Sequence, residues 1–201
     1  MNPSAHHPQW YRSLGAISDA ELDASLKSGA AVTTPIVSRL QFGSPIITVI
    51  CQPNLWVIQA NEDSCWERML TVASLVFAKK NNQPATAFGL MVQRHIDTEA
   101  NARSILAATI AGLGLGFPIR ESVSTNITVA NPEEGFTITS SIQSSVIGER
   151  TVFGFYHRDY PGQEITGSSD PRFLAFISGS QQFFADMVSS INTRAGKGDR
   201  Q

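Results

Sequence analysis

Hydrophobic and polar positions change period several times along this chain, and each change marks an element. Ser18-Asp-Ala-Glu21 has the spacing of a capping box, in which the serine oxygen and the glutamate carboxylate satisfy free backbone N–H groups of a first helical turn. Leu22 and Leu26 then give a short helix one apolar edge, and Gly29 stops it. Beyond that point the period falls to two. Ile36, Ser38, Leu40 and Phe42 share one face of a strand over residues 35–42, residues 46–51 form a continuous apolar run, and residues 55–60 form a third strand centred on Trp56. The connectors Gly43-Ser44 and Pro53-Asn54 are too short to hold a crossover helix, so these strands are predicted to form an antiparallel meander.

A period near 3.6 returns at Ser64-Cys-Trp-Glu67, a second capping-box spacing. It is followed by Trp66, Met69, Leu70, Ala73, Val76 and Phe77 on one stripe, with Lys79 and Lys80 suited to the helix C-terminus. Residues 86–96 resume strand character. Thr98 opens a modest helix to Ala111, and the glycines Gly112, Gly114 and Gly116 end it. Residues 122–129 and 136–144 read as a hairpin closed by Asn131-Pro-Glu-Glu-Gly135, and residues 151–157 as a further strand. Asp170-Pro171 then begins a long helix with Phe173, Phe176, Ile177, Phe184, Met187, Val188 and Ile191 along one side, in which Gly179 allows a bend or a close approach.

Runs of strands between helices, joined at hairpin length, predict an α+β fold. The expected form is a single antiparallel sheet of six to seven strands, with the helices at 64–80 and 171–193 packed on one face. Residues 18–193 are read as one domain, residues 1–17 as a flexible N-terminal segment and residues 194–201 as a flexible tail. The repeated β-β-β-α order hints at duplication, although the residues themselves do not repeat.

Composition narrows the function classes. A chain of 201 residues buries roughly 70% of its unfolded surface without needing covalent staples. Cys51 and Cys65 follow no zinc or redox spacing, so they read as small apolar residues. No apolar run in the first residues resembles an export signal, and no stretch reaches membrane-spanning length, so a cytoplasmic protein is expected. Fifteen basic against 17 acidic residues, without a basic stripe, argues against nucleic-acid or membrane-surface binding. The charged fraction is 16%, against about 25% in typical soluble domains, with Ser, Thr, Asn and Gln in place of charge. Interface cores are depleted in charge, which points to a homo-oligomer or a protein partner.

Two strand-like runs, Gly89 to Asp97 and Phe153 to Asp159, each end in His beside Arg with Asp close behind. In a strand, His95 shares a face with Asp97 and His157 with Asp159, whereas Arg94 and Arg158 point the other way. A carboxylate beside histidine is the pairing a general base needs, so His95, Asp97, His157 and Asp159 are the candidate catalytic residues. Gly112-x-Gly114-x-Gly116 lacks the strand-to-helix context of a phosphate loop, and His6-His7 is not counted as a site. No metal or cofactor is expected. Phe183 and Phe184 are adjacent on a helix and cannot share one narrow stripe, which makes them interface candidates. The leading expectation is a non-enzymatic protein-binding or self-assembling domain. The alternative is a small-ligand-binding protein or cofactor-independent enzyme, with His95 and His157 in a pocket between the sheet and the C-terminal helix.

Overall fold

The computed structural model describes residues 2–79, 87–98, 101–103, 106, 124–164 and 170–198. The chain forms two compact units, the first from Met1–Pro84 with Ile165–Asp170 and the second from Ala85–Glu164 with Pro171–Gln201. The architecture is α+β, with antiparallel pairing throughout.

In the first unit, helices α1 (Pro8–Ser13) and α2 (Asp19–Lys27) precede strands β1 (Ala31–Thr33), β2 (Ser38–Phe42), β3 (Ile47–Gln52) and β4 (Leu55–Ala60). The strands form the expected meander, in the order β1-β2-β3-β4; β1 is too short for its period to be read from sequence. The capping box at α2 is made as expected: Ser18 Oγ accepts from the Glu21 N–H at 3.3 Å, and Glu21 Oε2 accepts from the Ser18 N–H at 2.9 Å. The second capping-box expectation fails. A tight turn over Asp63–Cys65 runs directly into α3 (Trp66–Ala78), so Cys65 is already helical and no side chain caps the end.

Alternation explains the core. Leu40, Val49 and Ile58 lie opposite one another across three strands, as do Phe42, Ile47 and Ala60. This face joins Val72 and Val76 of α3 in one apolar cluster. Residues 1–17, expected to be loose, supply Tyr11, Ala16 and Ile17 to the same cluster.

In the second unit, β5 (Ala87–Asp97), β6 (Ser124–Asn131), β7 (Phe136–Ser144) and β8 (Thr151–Pro161) form a sheet ordered β5-β8-β7-β6. The even-numbered residues of β5 and β8 face α4 (Pro171–Gly198), which runs past the expected end at 193. Phe88 stacks on Tyr160 at 4.5 Å between ring centroids and meets Phe173 edge-on, while Tyr156 packs on Phe176 at 5.7 Å. A Cβ at Gly154 would come within 2.7 Å of Phe184 and 2.9 Å of Met187, and one at Gly179 would collide with the Arg158 guanidinium and the Tyr156 hydroxyl. The missing side chains therefore set how closely helix and sheet approach.

The expected single sheet of six to seven strands is thus corrected to two four-stranded sheets, each with its own helix. The reason lies in pairing. α3 interrupts the chain after β4, and the eleven-residue ladder of β5 is satisfied by β8. The two sheets also differ in strand order, a meander against a sheet whose first strand pairs with its last. Most of the helix expected over 98–111 lies outside the described residues, as do Gly112, Gly114 and Gly116.

Candidate functional site

Strand parity gives the second sheet two unlike faces. Arg94 and Arg158 point toward α4, on the face opposite the histidines, and Arg172 lies with them. Their guanidinium carbons stand 5.4 Å from the Phe184 ring centre (Arg94), 4.7 Å from that of Phe136 (Arg158) and 4.7 Å from that of Phe88 (Arg172). Arg158 also donates to Tyr156 Oη at 2.8 Å. Cationic charge is thereby held beneath the sheet, over aromatic surface.

The opposite face carries a different chemistry. Register places Asp97 beside Thr151, then His95-Phe153-Gln143-Ser124, Gln93-Phe155-Ser141-Asn126, Met91-His157-Thr139-Thr128, and Gly89-Asp159-Thr137-Ala130 as successive cross-strand rows. Among the described residues of this face there is no Lys or Arg. Met91 is 49% exposed and Phe153 and Phe155 are half-buried, surrounded by hydroxyl and amide side chains.

All four candidate catalytic residues stand on this face, but they do not gather. β5 and β8 are neighbours, as the sequence reading required, yet they run antiparallel, so His157 lies opposite Met91 and His95 opposite Phe153. Four residues separate these positions on β5, roughly 14 Å along the strand. The His157 and Asp159 side chains do meet, Nε2 to Oδ1 at 3.2 Å. His95 and Asp97 instead turn to other partners: His95 Nδ1 lies 2.9 Å from Ser145 Oγ, and Asp97 Oδ1 accepts from Thr151 Oγ1 at 3.0 Å. His95, Gln143, Ser144, Ser145, Val146 and Phe153 line a shallow concavity of about 250 Å³. Neither His157 nor any residue of α4 belongs to that lining.

The two interface candidates have different surroundings. Phe184 is buried against Gly154 and beneath Arg94, as part of the packing of α4 on its own sheet. Phe183 is half-buried and packs on Tyr156 at 5.4 Å. Sequence reasoning did not single out Met91 or the row containing Phe155 as a surface, although the parity that placed His95 and His157 on one face places these residues there too.

The first unit holds a second polar cluster. His6 is only 7% exposed and its Nδ1 lies 2.9 Å from Tyr11 Oη, which accepts from Trp56 Nε1–H at 3.0 Å. Burial lowers the His6 pKa to about 4 and pushes the Tyr11 phenol above its ordinary value. Cys51 and Cys65 are both free and buried, and burial raises the Cys51 pKa, which favours the unreactive thiol.

Among the described residues no group of three or more His, Cys, Asp or Glu could hold a metal ion, and no described helix is long and apolar enough to cross a membrane. No protein-family model, curated protein or solved structure matches this chain.

Proposed function

We propose that this chain is a non-enzymatic binding protein that associates with a second copy of itself through the uncharged-centred face of its second sheet. The observation that carries the reading is Met91, Phe153 and Phe155 standing accessible on a face whose described residues include no Lys or Arg. Desolvating a charge on association is costly unless it is paired, whereas Thr, Ser, Asn and Gln exchange water for partner groups at little loss. The described carboxylates of this face, Asp97 and Asp159, stand in its two end rows, so its centre meets its own copy without like-charge contact. The placement of Arg94 and Arg158 over the aromatic rings beneath the sheet supports the same reading, because it leaves the outer face quiet.

Size sets the strength. Four strands at about 4.8 Å spacing and eight residue steps at about 3.4 Å give a footprint on the order of 500 Å², which belongs with small, reversible interfaces. The expected state is a concentration-dependent dimer. Sedimentation velocity across a hundredfold concentration range should show the monomer–dimer shift, and Phe155→Asp should hold the chain monomeric with its circular dichroism unchanged. A wild-type chain that stays monomeric at the highest concentration overturns the proposal.

The alternative, a small-ligand or catalytic pocket, draws support from the His95–Ser145 contact beside the concavity. Use of both histidines by one substrate is disfavoured by their separation along the sheet. Chemical-shift perturbation of His95 by small polar aromatic compounds, lost in His95→Ala, would favour that reading over self-association.

A further inference from the structure

We propose that His6 operates a proton-sensitive latch: residues 2–17 stay docked on the first unit while its imidazole is neutral and come away when the ring is protonated.

Donor and acceptor roles along the cluster dictate this. An indole Nε1–H can only donate, so it occupies an acceptor site of Tyr11 Oη, and His6 Nδ1 is then the partner among the described residues at which the buried phenolic hydrogen is directed. His6 Nδ1 must accept it, which fixes the neutral ring with its own hydrogen on Nε2. A second proton would go to Nδ1, the atom that is accepting. Two N–H or O–H donors would then face each other, and the phenolic hydrogen would have to turn away from its buried partner. Tyr11 is 1% exposed, so the hydroxyl does not face open solvent.

Among the described residues no carboxylate faces the ring to offset the added charge. Facing the ring are Trp10 of α1, at 4.6 Å between centroids, and Tyr11 of the same helix. From β2, Ser38 Oγ donates to the His6 carbonyl. Cys51 of β3 acts on Tyr11, and its thiol and the Tyr11 phenol are both shifted toward their neutral forms. The other described titratable residue acting on His6 is His7, whose charge would repel a cation. Among the described residues no carboxylate pairs with His6. The charged ring is relieved by reaching water, and the segment that carries it also brings Tyr11 and Ile17 out of the core, baring the apolar surface they cover.

The test is nuclear magnetic resonance on the full chain, with labelled histidine and indole nitrogens, from pH 7.5 to pH 4. The expected result is an Nε2–H tautomer for His6 at neutral pH and loss of the protected Trp56 indole signal on acidification, while amide signals of α3 persist. His6→Gln, whose amide oxygen accepts from Tyr11 without titrating, should keep the indole signal at pH 4. The proposal is overturned if the wild-type indole signal is unchanged at pH 4, or if His6→Gln loses it at the same pH. Should that variant not fold, the wild type decides alone: a charged His6 beside an unchanged Trp56 indole refutes the latch.

Discussion

Replacing Gly154 with alanine places a single methyl group where the structure has no room. The new Cβ would lie 2.7 Å from Phe184 Cε1 and 2.9 Å from Met187 Cε. Carbon atoms prefer about 3.5–4.0 Å, so α4 must lift by roughly 1 Å or the two side chains must leave their rotamers. Overpacking of this kind costs about 1–3 kcal/mol. Alanine recovers part of that, because glycine inside a strand is worse by roughly 0.5–1 kcal/mol, so from the middle of the two ranges a net loss of about 1 kcal/mol is expected. Gly148→Ala is the control, since its added Cβ would meet only Thr151 Oγ1 at an ordinary 3.5 Å. Stability should be followed by urea unfolding with far-ultraviolet circular dichroism. Tryptophan fluorescence is the wrong probe, because Trp10, Trp56 and Trp66 all belong to the first unit. In a double-mutant cycle, Met187→Ala should absorb much of the Gly154→Ala penalty, giving a coupling on the order of 1 kcal/mol. A Gly154→Ala chain as stable as wild type, or a penalty strictly additive with Met187→Ala, refutes the argument that these glycines set the helix–sheet distance.

Three other outcomes are expected. The folded His6 pKa is lowered from 6.5 to about 4, so the unfolded chain binds the proton first; the contribution is complete above pH 6.5 and is lost as pH falls toward 4. The first unit should therefore lose about 3 kcal/mol across that window, read as a falling urea midpoint by tryptophan fluorescence, and His6→Gln should flatten the curve. Tyr11→Phe leaves the Trp56 N–H and His6 Nδ1 without their shared partner and should cost about 1–3 kcal/mol even at neutral pH, measured by the same unfolding. Ser18→Ala removes half of the α2 capping box and should cost about 1 kcal/mol, with increased amide exchange confined to the first turn of α2.

Legibility in the sequence followed the range of the interaction. The Ser18–Glu21 box spans four residues and was read directly, whereas Ser64–Glu67 has the same spacing but yields to a tight turn imposed by the approach to α3. Alternation assigned Arg94 and His95 to opposite faces, and the structure keeps that assignment. It could not place His95 and His157 together or apart, because that depends on strand direction and register, which a two-residue period leaves open. His6 gave no signal at all: its partner Tyr11 is 5 positions away, Trp56, which bonds Tyr11, is a further 45, and a lone histidine looks the same whether solvated or enclosed.

Periodicity and connector length determined the α+β class, the antiparallel pairing, the two faces of each strand and the stripe on each long helix, because these follow from backbone geometry over a few residues. Tertiary structure alone decided that the strands divide into two sheets, that three arginines are stacked on aromatic rings beneath one of them, and that a buried histidine joins Tyr11 and Trp56 in a chain of polar contacts. Those outcomes rest on which distant segments satisfy one another's hydrogen bonds and apolar surface, and such choices leave no local trace in the order of residues.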